Sequence, residues 1–77
     1  MTASAVMFES LRAHHSAVME IKEAEEAIAR GELQLADDLR KTAVLHERKS
    51  VELSRKARAI TLRAQRAKRR AAKAGAQ

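Results

Sequence analysis

Apolar residues step along the first third of the chain at alternating spacings of four and three, through Met7, Leu11, His14, Val18, Ile21 and Ile28, with Ala17 and Ala24 broadening the stripe. That rhythm places them on one face of an α-helix. Glu25 is the one charged intruder, and Gly31, which can take the left-handed conformation that ends a helix, follows Arg30. A second stripe reads Ala36, Leu39, Ala43, His46, Ser50, Leu53, Ala57, Ile60, Ala64, Ala67, Ala71 and Ala74 and keeps a heptad rhythm. The pattern predicts two helices, the first from near Ser4 to near Arg30 and the second much longer. Asp37 and Asp38 lie near the positive end of the second.

Folding back about Gly31 sets residues whose numbers sum to about 60 to 63 opposite each other, pairing Ile21 with Leu39, Ala17 with Ala43 and Met7 with Leu53. Small residues at alternate seam positions suit antiparallel helices in close approach. Coverage by the first helix ends around residues 56–59, which leaves an overhang of roughly 16 residues, or about 24 Å of α-helix. A further line, Val44, Val51, Ala59 and Leu62, falls on a face of the second helix that the first cannot cover at the same time. Val44, Val51 and Leu62 are therefore the candidate partner surface. Burying it against a second copy makes a four-helix bundle, so a homodimer or a hetero-assembly is expected.

Composition narrows the class. The chain has 77 residues, no Pro, no Cys and a single aromatic residue, Phe8. It is expected to be one all-α domain with a thin stability margin. The longest apolar run, Ala5 to Phe8, is too short for a membrane span or a signal-peptide core, so the sequence reads as a cytoplasmic chain with no membrane partner. Without Cys or Tyr, and with only two helices to shape a pocket, no catalytic residue and no cofactor are expected. His14 and His46 would face each other in the hairpin, but two imidazoles fall short of the three or four ligands zinc takes, and Glu20, Glu23, Glu25 and Glu26 spread around the first helix. No metal site is assigned.

Charge changes the picture most. Residues 1–54 hold all ten carboxylates and seven Lys and Arg, a net of −3, whereas residues 55–77 hold nine Lys and Arg and no carboxylate. The break falls close to where the second helix loses its partner, so the chain divides into a helical-hairpin core, 1–54, and a basic helical arm, 55–77. Arg66 with Arg70 and Arg69 with Lys73 stand one turn apart, a like-charge cost of about 0.2–0.5 kcal/mol each that a polyanion would remove.

Two local resemblances follow from these residues. The order Ala24, Gly31, Ala36, Ala43 resembles the hairpin of tetratricopeptide repeats and of the microtubule-interacting-and-trafficking domain, which implies a tight turn and carries over no binding residue. Residues 64–73, in which Ala, Gln, Lys and Arg are interspersed, resemble the arginine-rich helical RNA-binding motifs of phage antitermination peptides. Arg55, Lys56, Arg58, Arg63, Arg66, Lys68, Arg69, Arg70 and Lys73 are accordingly the candidate nucleic-acid contacts. With no aromatic side chain to stack on bases, phosphate contact with duplex DNA or structured RNA is expected over single-strand reading. The alternative is a protein-interaction module, adaptor-like or chaperone-like, whose basic arm contacts an acidic protein.

Overall fold

The computed structural model describes residues 2–75, which form an antiparallel hairpin of two helices, α1 (Ala3–Ala29) and α2 (Leu33–Gly75). Met1, Ala76 and Gln77, the outer ends of the two segments expected from sequence, lie outside the described residues. α1 starts where Thr2, in extended backbone (φ −88°, ψ 156°), turns its hydroxyl to accept the Ala5 N–H at 3.1 Å. That bond satisfies one of the free donors of the first turn.

α1 ends in a glycine-dependent stop. Gly31 has φ +79°, its N–H donates to the Ile28 carbonyl at 3.0 Å, and the Glu32 N–H reaches the Ala27 carbonyl at 2.9 Å. These two bonds make a Schellman motif. The Glu32 carbonyl then accepts the Ala36 N–H at 3.1 Å and opens α2. No heavy atom stands within 4 Å of where a Cβ on Gly31 would sit, so replacement is opposed by backbone conformation alone. Gly31→Ala is therefore expected to cost about 1 kcal/mol, read as a lower midpoint in a urea melt followed by circular dichroism. An unchanged midpoint would mean that the turn does not depend on the left-handed residue.

The contact between the helices is a ladder of small side chains. Ala3, Ser10, Ala17 and Ala24 recur every seven residues on α1, and Ala36, Ala43, Ser50 and Ala57 recur every seven on α2. Facing members, Ala3 with Ala57, Ser10 with Ser50, Ala17 with Ala43 and Ala24 with Ala36, all have numbers that sum to 60. All of these except the half-buried Ala3 are buried. The expected α2 seam holds from Ala36 to Ile60, with Leu39, His46, Leu53 and Ile60 half-buried between the small residues.

On α1 the buried stripe differs from the expected one. Val6, Ser10, Ala13, Ala17, Ala24 and Ala27 face α2, whereas Met7, Leu11, Val18, Ile21 and Ile28 lie exposed on the neighbouring stripe. The pairings of Met7 with Leu53 and of Ile21 with Leu39 are thus replaced by Ala and Ser contacts, and Leu39 packs against Ala24, Ala27 and Ala36. The reason is distance: helices that meet through Ala and Ser approach closely, and no room remains between them for larger aliphatics. Among the described residues seven of the eight buried apolar ones are Ala, and Val6 is the eighth.

α2 outruns α1. From Thr61 to Gly75 every residue is exposed, and the molecule is a rod, 71 × 15 × 13 Å, with a radius of gyration of 19.4 Å against about 11 Å for a compact globule of this length. Among the described residues no helix is long and apolar enough to cross a membrane.

Candidate nucleic-acid interface

α2 continues without a break through the basic segment, so helical spacing fixes where its cations stand. At 100° per residue, Arg63, Arg66, Arg69, Arg70 and Lys73 fall within an arc of about 120°, and Lys68 alone stands on the far side. Ala64, Ala67, Ala71 and Ala74 run along the edge of that arc, beside Arg63 and Arg70, in line with the hairpin seam. The charge forms a stripe about 15 Å long, from Arg63 to Lys73.

The other three candidate cations sit on the packed part of the hairpin. Arg55 stands beside Val51 and Glu52 on the outer side of α2. Arg58 lines a shallow cleft at the open end with Ala3, Met7, Leu11 and Thr61, while Lys56 is exposed between two half-buried or buried neighbours of the seam. Arg55 and Lys56 therefore flank the root of the arm. The cations that project free of α1 are Arg63, Arg66, Lys68, Arg69, Arg70 and Lys73.

No Asp or Glu side chain pairs with an arm cation among the described residues. The ion pairs that do form involve the hairpin: Arg30 with Glu32 at 3.2 Å and Lys41 with Asp37 at 2.9 Å. In each, the hydrogen bond and the adjacent negative charge hold the basic group more firmly protonated than usual. Both are solvent-exposed, so their contribution to stability is small. Acidic residues thus neutralise one another's neighbours near the loop and leave the arm uncompensated.

The candidate partner surface is exposed as expected: Val44 is 51% and Val51 43% accessible, and Leu62 lies beyond the start of α1 on the arm. The structure adds to it. Val18, Ile21, Val44, Arg40 and Glu47 line one open groove between the helices, on the side where His14 Nδ1 stands 2.9 Å from Glu47 Oε2. The displaced α1 stripe and the α2 line thereby share one face of the hairpin. The opposite face is polar, with Glu9, Arg12, Ser16, His46 and Lys49 along its groove.

The histidines do not meet. His14 pairs with Glu47 on the apolar side, and His46 pairs through Nδ1 with Oε1 of Glu20 on the polar side. Moving the α1 seam by one residue turns His14 away from His46 and brings Glu20 to it. Oε2 of Glu20 is buried and has no hydrogen-bond partner among the described residues. No group of three or more His, Cys, Asp or Glu side chains stands together as a metal would require among the described residues.

One polar contact inside the seam escaped the sequence reading. Ser10 Oγ donates to the Ser50 carbonyl at 2.7 Å and lies 2.7 Å from Ser54 Oγ and 3.2 Å from Ser50 Oγ. Its single proton goes to the carbonyl, so the neighbouring hydroxyls donate to it. The signal was present in the sevenfold recurrence of small residues, where Ser10 interrupts one ladder and Ser50 the other at matching positions. No protein-family model, curated protein or solved structure matches the chain, so the chemistry of this arm and this hairpin alone carries the functional reading.

Proposed function

We propose that the chain is a small nucleic-acid-binding protein, without a catalytic role, that places the cationic stripe of α2 against the phosphates of duplex DNA or structured RNA. The observation that supports this reading most is the arm itself: 15 exposed helical residues, Thr61 to Gly75, with six Lys and Arg, no Asp or Glu, and no ion pair among the described residues. A rod of helix about 10 Å across fits a major groove about 12 Å wide. Arg63, Arg66, Arg69 and Arg70 then approach phosphates along one side, and the guanidinium fork suits phosphate oxygens. Base reading has a narrow vocabulary here: arginine can meet guanine in a major groove, but the arm holds no Asn and no aromatic residue, and its one Gln, Gln65, stands outside the stripe. Contacts therefore follow the shape and charge of the backbone.

Anisotropy titrations of a labelled DNA duplex, an RNA hairpin and an unstructured oligonucleotide between 50 and 200 mM salt test this. Binding to the two structured ligands is expected to fall steeply and linearly on a log–log plot, with the unstructured strand weaker throughout. Absence of binding to either structured ligand near physiological salt would overturn the proposal.

A further inference from the structure

The groove lined by Val18, Ile21 and Val44 is open in a single chain, and we propose that a second copy of the same chain covers it, antiparallel, with the two loops at opposite ends. The proposal does not rest on nucleic-acid binding. Its first support is the shortage of buried large side chains: the seam buries alanines, while Val18 and Ile21 are each 48% accessible on one continuous face with Val44 and Val51. Patches of this kind on small helical chains are usually covered in the working assembly. The hairpin face, about 40 Å long by the rise of α1 and 15 Å across, offers roughly 600 Å² per copy, which places a pair at the lower end of stable interfaces.

Self-complementarity supports the orientation. In a two-fold antiparallel pairing α1 meets the partner's α1, with numbers that sum to about 35. Met7 then lies against the partner's Ile28, Val18 against the partner's Val18 and His14 against the partner's Ile21. On α2 the same axis falls near Ala43, so Val44 comes within a helical turn of the partner's Val44 and Arg40 within a turn of the partner's Glu47. Each contact occurs twice, as an isologous interface requires.

Charge decides against the parallel alternative. Residues 20–38, at the loop end, carry seven carboxylates and two basic groups, a net of −5, while the opposite end carries the nine cations from Arg55 to Lys73. Parallel copies would set two such arms side by side. Antiparallel copies set each arm's root beside the partner's acidic loop, with Arg55 level with the partner's Glu32. Like-charge juxtaposition is the stronger selector of the two.

The chain has no cysteine, so single cysteines report the arrangement directly. Val18→Cys sits next to the proposed axis, where two copies approach closely enough for a disulfide. In parallel pairing the two positions lie across the bundle diagonal, roughly 12–14 Å apart and beyond the ~7 Å limit for such a bond. At about 100 µM, well above a micromolar dissociation constant, the unaltered protein is expected to sediment at twice its 8.5 kDa, and Val18→Cys to become a covalent dimer under mild oxidation with unchanged circular dichroism. A monomer at that concentration overturns the proposal and leaves the face to a different protein. A dimer that cross-links in a mixture of Leu11→Cys and Val51→Cys chains, but not through Val18→Cys, is parallel and overturns it too.

Discussion

Replacing Ala17 with leucine is expected to lower the melting temperature by roughly 10–20 °C. Ala17 is 2% accessible and faces Ala43, itself 3% accessible, across the narrow seam. Three added carbons find no space there, and the helices must separate along several turns to admit them. Overpacking of this kind costs about 1–3 kcal/mol, and each kcal/mol shifts the midpoint of a chain this size by about 4–8 °C. Against the few kcal/mol that a short chain holds in reserve, that is a large share. Thermal melts at one fixed protein concentration read the effect, since association makes the midpoint depend on concentration. Met19→Leu, on an exposed site of similar volume, is expected to stay within about 0.5 kcal/mol. Equal melting of the two variants would show that the small-residue ladder does not set the spacing between the helices.

Replacing Arg63, Arg66, Arg69 and Arg70 together with alanine is expected to remove most of the salt dependence of nucleic-acid binding. Each phosphate neutralised on duplex DNA contributes about −0.9 to the log–log slope, so four arginines account for up to ~3.6. Between 50 and 200 mM salt the affinity of the unaltered protein should then fall about a hundredfold more than that of the variant. The substitution also raises helix propensity and removes like-charge pairs one turn apart, so the arm stays helical and lost binding cannot be assigned to unfolding. Circular dichroism of the free variant checks this. A slope equal to that of the parent would mean that the phosphates are met by other cations, Lys68 and Lys73 on the arm or Arg55, Lys56 and Arg58 at its root.

Most of the fold could be read before any coordinates. The absence of proline, the single internal glycine and the heptad seam of α2 lead to a hairpin about Gly31, and the pairing of Ala17 with Ala43 already carries the correct register. The α1 contact face was not legible from hydrophobicity, because Met7, Leu11, Val18 and Ile21 outweigh alanine on any scale of apolar character. Facing an alanine-lined helix, however, close approach selects the small residues and turns the large ones outward. The same turn of one residue separates the two histidines and gives each a carboxylate. For the arm, the list of cations was complete, and the gathering of most of them on one arc follows from helical spacing along an α2 that runs unbroken to Gly75. Periodicity locates charge well and assigns partners poorly, since partners depend on which neighbouring stripe is sterically admitted.

The serines at the middle of the seam also settle a degeneracy. Because both ladders repeat every seven residues, sliding one helix past the other by a heptad would again set small residue against small residue, with almost no change in apolar contact. Ser10 would then face Ala43 or Ala57 in place of Ser50; its hydroxyl would still find a main-chain carbonyl there, but the Ser50 hydroxyl beside it would be lost, at a cost of about 0.5–1.5 kcal/mol for the hydrogen bond forgone. The trio Ser10, Ser50 and Ser54 thus adds an index mark to an otherwise uniform rail, favouring the same offset that the short turn about Gly31 imposes and that leaves the cationic end of the rod extended beyond its mate.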